Sequence, residues 1–144
     1  MPYTYPYPRP ALTVDTIVLK TIADTPHILL IQRKHPPYAQ HWALPGGFVE
    51  AEEPLETAAR RELREETALH GMPLQQLTTV GTPGRDPRGW TVSVVFWGWL
   101  EDATSHARAG DDAANATWWP LNALPPLAFD HGDILATFTK LHPN

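Results

Sequence analysis

Many of the chain's hydrophobic residues fall into short runs that are typical of β-strands. Residues 12–20 and 27–32 are rich in β-branched residues and leucine, and the turn-forming residues between them predict a hairpin or a meander. Further strands are predicted at residues 74–80, 91–100 and 116–119. The run 91–100 is apolar on both faces, which favours a central strand that is covered on two sides.

Two other segments have apolar residues at helical spacing. The first covers residues 54–69, with Pro54 at the first helical position and Gly71 expected to end the helix. The second covers residues 132–141, with Asp130 as its cap. The order of strands, helix, strands and helix predicts an α/β sandwich with a mixed β-sheet.

The composition indicates one domain preceded by an arm. Residues 1–10 contain four prolines and three tyrosines and are expected to be extended. Residues 11–144 have the length and apolar content of a single globular domain. Neither a basic leader nor an apolar run long enough to cross a bilayer is visible, so we expect a cytoplasmic protein with no membrane partner.

The charge balance and the lack of cysteine narrow the possible chemistry. The formal net charge is −5, from 16 acidic and 11 basic side chains, which disfavours nucleic acid and anionic membranes as partners. The chain has no cysteine, which excludes a disulfide framework, a thiolate metal site and a cysteine nucleophile. A metal site would therefore use carboxylate, imidazole or backbone oxygen atoms.

The predicted helix over residues 54–69 places carboxylates on its apolar face. On a helical wheel, Glu62 and Glu66 share the side that should pack on the core. Like charges at this spacing repel, and a buried carboxylate is costly unless a cation neutralises it. Hard oxygen ligands favour Mg²⁺ or Mn²⁺ over Zn²⁺. The alternative is that these glutamates simply pair with Arg61 and Arg64 on an exposed helix.

The spacing of this region resembles the Nudix box. Gly47 is followed after five residues by Glu53, and after seven more by the sequence Arg-Glu-Leu-Arg-Glu-Glu at residues 61–66. The segments PRPALTVDTIVL, ILLIQR, HWALPGGFVE, GRDPRG and PLAFDHGDIL are similar to the branch of the family that contains ADP-ribose pyrophosphatases. The resemblance implies a Nudix-type α/β/α sandwich and a Mg²⁺-dependent hydrolase of diphosphate linkages. One departure is Ala68, where the family usually has glycine.

The resemblance also implies roles for individual residues of the box. Glu62 and Glu66 are expected to be the principal metal ligands, Glu65 a ligand or near-ligand, and the Gly46 carbonyl a further ligand. The cation is expected to be Mg²⁺, with Mn²⁺ as a possible substitute.

Two further roles concern the second layer of the site and the general base. Arg61 is expected to pair with Glu53 and to hold the helix face in place. Family members take the base either from the box or from a later loop, and Asp111 and Asp112 are the best later candidates in this chain, with Asp112 included among the catalytic residues.

Recognition of a nucleotide substrate requires cations and flat apolar surfaces. The basic residues nearest the expected site include two in a proline-fixed loop, although that loop could also be an ordinary polar turn. Aromatic residues could stack on a base and polar neighbours could read its edge, although most aromatic residues in a small domain are core. The substrate-binding candidates are Arg33, Arg85, Arg88, Trp42, Phe48, Phe129, Asp130 and His131.

The resemblance implies an enzyme that hydrolyses ADP-ribose or a related ADP-sugar to AMP and a sugar phosphate. A nucleoside triphosphate pyrophosphohydrolase that removes surplus or damaged nucleotides is the nearest alternative. A non-catalytic nucleotide sensor is a further one, although we expect no room for the DNA-binding domain that such regulators carry. The tyrosine- and proline-rich arm could cross the interface of a homodimer.

Overall fold

The computed structural model describes residues 3–101, 107, 110 and 113–142. Within these residues a seven-stranded sheet and two helices form an α/β sandwich. In chain order the elements are β1 (Ala11–Ile22), β2 (Thr25–Arg33), β3 (Trp42–Ala43), β4 (Gly46–Phe48), α1 (Leu55–Thr67), β5 (Gln75–Val80), β6 (Thr91–Trp99), β7 (Ala113–Pro120) and α2 (His131–Leu141).

The sheet is mixed, as the sequence predicts. Its main path runs β3-β2-β1-β6-β5, while β4 pairs with β1 and β7 pairs with β2. Strands β1 and β6 are parallel along their whole common length, and β1 and β2 form the predicted antiparallel hairpin. The short strand β4 runs antiparallel to β1, opposite Thr13 to Asp15. This pairing places the two glycines of β4 beside the middle of a buried strand.

Each helix covers one face of the sheet. Side chains of β1 alternate between the faces: Ile17 packs in the cluster that contains residues of α2, whereas Val14 and Val18 pack in clusters that contain residues of α1. Strand β6 alternates in the same way, with Val95 towards α2 and Phe96 towards α1. The prediction of a central strand covered on two sides is therefore confirmed.

The ends of the helices differ from the sequence-based expectation. Pro54 has a non-helical backbone and stands before the first turn of α1. The helix ends at Ala68, whose φ of +67° is left-handed, and the Ala68 N–H donates to the Arg64 carbonyl. The expectation that Gly71 ends the helix is thus wrong. Asp130 precedes α2, but its carboxylate makes no capping hydrogen bond, because it binds a guanidinium group from another loop.

The N-terminal residues 3–10 form neither helix nor strand and are exposed. Neither helix in the described part of the chain is long and apolar enough to span a lipid bilayer.

Candidate functional site

The site begins where the glycines of β4 lie against the inward face of α1. The Gly46 N–H donates a hydrogen bond of 2.6 Å to Oε1 of Glu66. A Cβ atom on Gly47 would lie 2.5 Å from Oε2 of Glu62, so a larger residue there would displace that carboxylate. The absence of a side chain at Gly47 therefore allows the Glu62 carboxylate to approach β4, and the Gly46 N–H binds the Glu66 carboxylate beside it.

The protein compensates the charges of these two carboxylates to different extents. Glu62 pairs with Arg61 at 2.6 Å, whereas Glu66 accepts a hydrogen bond from the neutral Gly46 N–H. The pKa of Glu66 is raised to about 8, mainly by burial; the Gly46 hydrogen bond opposes this rise, and the charges of Glu62 and Asp15 add to it. Burial also raises the pKa of Glu62, although Arg61 partly opposes this shift. The concentration of negative charge is the feature that would attract a cation.

Arg61 organises the outer side of this cluster. Its Nε and Nη2 atoms donate to the two Glu53 oxygens at 2.8 and 2.9 Å, and Nη2 also donates to the Phe48 carbonyl at 3.1 Å. Nη1 donates to Glu62 at 2.6 Å and to Glu65 at 3.1 Å. The hydrogen bonds from Arg61 lower the pKa of Glu53 to about 2. The predicted Arg61–Glu53 pair is thus present, and it ties α1 to the loop before it.

A small cavity of about 90 Å³ adjoins Glu66. Carboxylates and guanidinium groups both line this cavity. Its lining includes nine residues that carry the argument: Asp15, Gly46, Gly47, Phe48, Glu66, Arg33, Arg88, Phe129 and His131. A cavity lined by both kinds of charge suits a cation beside the carboxylates and an anionic group beside the guanidinium groups.

The loop between β5 and β6 supplies two arginines with different surroundings. Arg85 donates from Nε and Nη2 to the Asp130 carboxylate at 2.8 and 2.7 Å, and from Nη1 to Ser93 Oγ at 2.8 Å. Arg88 binds the neighbouring Asp86 carboxylate through Nε and Nη2. The Arg85 side chain is only 5% exposed, whereas that of Arg88 is 39% exposed.

Aromatic rings surround the Arg88 guanidinium. Its Cζ atom lies 5.1 Å from the centre of the Phe48 ring and 5.0 Å from the centre of the Phe129 ring. The Cζ atom of Arg33 lies 4.9 Å from the same Phe129 ring. Tyr38 meets Phe129 edge to face at 5.0 Å. Phe129 therefore lies close to two of the guanidinium groups that line the cavity.

His131 and Asp15 form a buried polar pair beneath the cavity. The Leu44 N–H donates to His131 Nδ1 at 3.0 Å, so the ring proton is on Nε2, which faces Asp15 Oδ1 at 3.8 Å. Burial lowers the pKa of His131 and raises that of Asp15. The neutral His131 ring thus accepts a hydrogen bond from Leu44 and fixes the backbone that leads to Gly46.

Asp15 was not among the residues that the sequence singled out. The available signal was a charged residue inside an apolar run that was predicted to be a strand. Such a residue is buried at a cost unless charged or polar partners surround it. Its partners, Arg85 and His131, are remote in sequence.

Several predicted site residues are not gathered around the cavity. Trp42 packs edge to face on Trp119 at 5.2 Å in the core beneath α2, so the structure gives no support to a stacking role for its indole. The Asp130 carboxylate accepts two hydrogen bonds from Arg85. Glu65 is half exposed and contacts Arg61. Asp112 lies outside the described residues.

The carboxylate oxygens of Glu62 and Glu66 are ligands of the kind that hard divalent cations prefer. The described part of the chain, however, contains no group of three or more histidine or acidic side chains already arranged to hold a metal ion. The protein would therefore supply two carboxylates, Glu62 and Glu66, and the remaining ligands would come from backbone, water and substrate.

Comparison with known proteins places this geometry in context. The family model of the NUDIX domain matches residues 11–138. The ADP-ribose pyrophosphatase of Methanocaldococcus jannaschii is 43% identical over 134 residues, which are 93% of this chain and 76% of that protein. The ADPR-responsive transcriptional repressor NtrR of Acinetobacter baylyi is 38% identical over 141 residues, which are 94% of this chain and 56% of that protein.

A solved structure shows the same fold. The NUDIX domain of Shewanella oneidensis NrtR, determined in complex with ADP ribose, superposes with a TM-score of 0.86 at 32% identity. The superposition covers 94% of this chain and 90% of that one.

Proposed function

Because the chain belongs to the NUDIX domain family and is a Nudix hydrolase, we propose that it hydrolyses ADP-ribose, or a closely related ADP-sugar, to AMP and a sugar phosphate. The similarity to an ADP-ribose pyrophosphatase and to an ADP-ribose-bound NUDIX domain supports this substrate. The single structural observation that carries the proposal is the contact between β4 and α1, where Glu62 and Glu66 face glycine backbone beside a cavity that guanidinium groups help to line.

The proposed cofactor is Mg²⁺, with Mn²⁺ as a substitute. Nudix hydrolases generally use divalent metals. Glu62 and Glu66 would hold the ion, Glu65 would stand at its edge, and the Gly46 carbonyl would be a further ligand. When bound, such an ion polarises phosphate oxygens and lowers the pKa of a bound water.

The chain's own groups have separate proposed tasks. Arg61 positions Glu62 and Glu65 through its hydrogen bonds and is itself held by Glu53. The guanidinium groups beside the cavity compensate the negative charge of the diphosphate. Phe48 and Phe129 offer apolar surface to the rest of the nucleotide. Asp112 stays the proposed acceptor of the proton from the attacking water.

A hydrolysis screen tests the proposal. The purified protein is incubated with ADP-ribose, ADP-glucose, NADH and oxidised dNTPs, with Mg²⁺ or with a chelator, and products are separated by chromatography. Release of AMP and ribose 5-phosphate from ADP-ribose is expected only with the metal. Preferential release of pyrophosphate from triphosphates would support the alternative of a nucleoside triphosphate pyrophosphohydrolase.

A ligand sensor is the second candidate, favoured by the similarity to a repressor named as ADPR-responsive. The chain spans 56% of the length of that repressor. The two candidates differ in one measurement, because a sensor binds ADP-ribose without consuming it in the presence of Mg²⁺. We place no nucleic acid among the partners of residues 11–144, which we propose to act as one hydrolase domain.

Location and assembly are also proposals. A charged nucleoside diphosphate does not cross a bilayer unaided, which favours a cytoplasmic enzyme that meets its substrate where nucleotides are held. The arm of residues 1–10 presents exposed Tyr3, Tyr5 and Tyr7 outside the folded domain. We propose that this arm contributes to a homodimer.

A further inference from the structure

We propose that Arg33 and Arg88 together form the cleft that binds the substrate's diphosphate, with the Phe129 ring close to both guanidinium groups. Arg85 positions this cleft without touching the substrate. The inference rests on the proposed function, since it assigns the part of the substrate that each arginine meets. It divides three arginines that look equivalent in the sequence into two ligand-binding groups and one positioning group.

The hydrogen bonds of Arg85 leave it little capacity for a ligand. All three of its guanidinium nitrogens donate to protein atoms, two to Asp130 and one to Ser93. The side chain is almost fully buried. A substrate phosphate could replace these partners only by leaving the Asp130 carboxylate without its cation, which is costly for a shielded group. Arg85 therefore serves to join the β5–β6 loop to β6 and to the start of α2.

Arg88 and Arg33 differ from Arg85 in the guanidinium nitrogens that they keep available. Arg88 binds Asp86 through Nε and Nη2, and Arg33 donates from Nε to the Pro37 carbonyl, so Nη1 of Arg88 and both Nη atoms of Arg33 make no hydrogen bond within the described residues. Both Cζ atoms lie about 5 Å from the centre of the Phe129 ring, which puts the two like charges within about 10 Å of each other. Burial, and then the charge of Arg88, lower the pKa of Arg33. Two cations brought together beside an apolar ring are stabilised by an anion that contacts both.

The backbone of Phe129 supports a functional role for this arrangement. Its φ is +52°, a left-handed conformation that is unfavourable for a bulky residue. Strain of this kind persists only where surrounding contacts hold it. The contacts here are Tyr38 on one edge of the ring and the two guanidinium groups near it. The strained residue thus acts as the spacer that sets the distance between the two arginines.

The size of the cavity indicates which part of the substrate it takes. Its volume is about 90 Å³, whereas a pocket for a whole drug-sized ligand occupies roughly 300 Å³ or more. The lining includes Arg33, Arg88 and Glu66. Arg85 also lines the cavity, but its guanidinium nitrogens are occupied by Asp130 and Ser93. The cavity therefore suits phosphate groups between the arginines and the carboxylates, with the nucleoside and sugar lying outside.

The test measures anion binding without catalysis. Isothermal titration of the full chain with inorganic pyrophosphate, in chelator, is compared for wild type, Arg33→Gln and Arg88→Gln. Glutamine keeps part of the stem that packs on the aromatic rings, so folding is retained while the charge is removed. Each substitution is expected to weaken binding by about tenfold or more. Arg64→Gln, on the exposed side of α1, is the matched control and is expected to bind as wild type does.

Arg85→Lys separates positioning from contact. The ammonium group retains the charge but loses the paired hydrogen bonds to Asp130. We expect this variant to have a lower Tm than wild type and a pyrophosphate affinity within about threefold of wild type. If Arg85 contacted the substrate, the affinity would fall by more than this. In ADP-ribose turnover, Arg88→Gln should raise the KM, and Arg88→Lys should raise it less because the positive charge is kept. A merely structural role for Arg88, through its ion pair with Asp86, would instead lower the Tm of Arg88→Gln and leave its pyrophosphate affinity unchanged.

Failure of the cleft and failure of the proposed function give different results. If the wild type binds pyrophosphate through both arginines but does not hydrolyse ADP-ribose, the cleft stands and the proposed function fails. Normal pyrophosphate affinity in Arg33→Gln and Arg88→Gln overturns the cleft, even if ADP-ribose is hydrolysed. A loss of affinity in Arg85→Lys as large as in Arg88→Gln would also overturn it, because Arg85 would then contact the anion.

Discussion

The backbone N–H of Gly46 donates to the Glu66 carboxylate across 2.6 Å, joining a strand that pairs with β1 to the inward face of α1. This hydrogen bond fixes one oxygen of a carboxylate whose pKa burial raises to about 8. The protein thereby maintains a costly acidic group in a defined position. A bound cation would remove that cost, and this is the physical basis of the predictions that follow.

The stability of the metal-free protein should depend on the protonation of Glu66. A carboxyl group whose pKa is higher in the folded protein than in the unfolded chain stabilises the fold fully at pH values below its unfolded pKa of 4.5. This stabilisation is lost as the pH rises through the folded pKa of about 8. Calorimetry in chelator from about pH 7 to about pH 9 should therefore show a falling Tm. The lowered pKa of His131 has the opposite effect, because it makes stability increase as the pH rises. This effect occurs near and below pH 6.5, outside the range of the measurement.

The variant Glu66→Gln isolates this contribution. Its Tm in chelator should vary less between about pH 7 and pH 9 and should exceed that of wild type at the upper end by roughly 3 °C. Its turnover of ADP-ribose should fall by two or more orders of magnitude, roughly, because a metal ligand is lost. Glu56→Gln, on the exposed first turn of α1, should change neither property. A Tm profile for Glu66→Gln parallel to that of wild type would contradict the assignment.

Gly47→Ala should displace Glu62. The added Cβ would lie 2.5 Å from Oε2 of that carboxylate, so the side chain or β4 must move. A shift of this size at a reacting centre costs on the order of 100-fold in rate. Initial-rate kinetics with ADP-ribose measure the effect. The control is Gly132→Ala in α2, where the new Cβ meets only Leu127 at 3.9 Å; equal activity of the two variants would refute the role of Gly47.

Ala68→Gly should stabilise the protein without changing its chemistry. Ala68 ends α1 with a left-handed φ of +67°, a conformation that costs a residue with a Cβ roughly 1 kcal/mol more than glycine. The Tm is expected to rise by about 2–4 °C. Thermal unfolding measures this shift, and a fall in Tm would show that loss of conformational freedom in the unfolded chain dominates.

Deletion of residues 1–10 tests the proposed homodimer. The arm carries exposed tyrosines, and Arg9 stacks on Tyr5 with its Cζ atom 3.7 Å from the ring centre. If the arm contributes to the interface, light scattering should give a dimer mass for the full chain and a lower mass after deletion. The same mass for both would count against the arm.

The sequence predicted the fold well because alternation and helical spacing are local signals. The two-sided apolar run of β6 indicated coverage by helices on both faces. The inward carboxylates of α1 were likewise visible from helical spacing. Local patterns did not reveal the partners of Asp15 and Asp130, since each depends on Arg85 in a distant loop. Trp42 resembled a stacking residue, yet tertiary packing places it in the core.

The central claim is that Glu62 and Glu66 hold a divalent cation against a diphosphate. The most direct measurement is anomalous diffraction from crystals soaked in Mn²⁺. The account predicts a peak about 2.0–2.3 Å from carboxylate oxygens of both residues. Carboxylates turned towards bulk solvent, with no ion beside them, would contradict it.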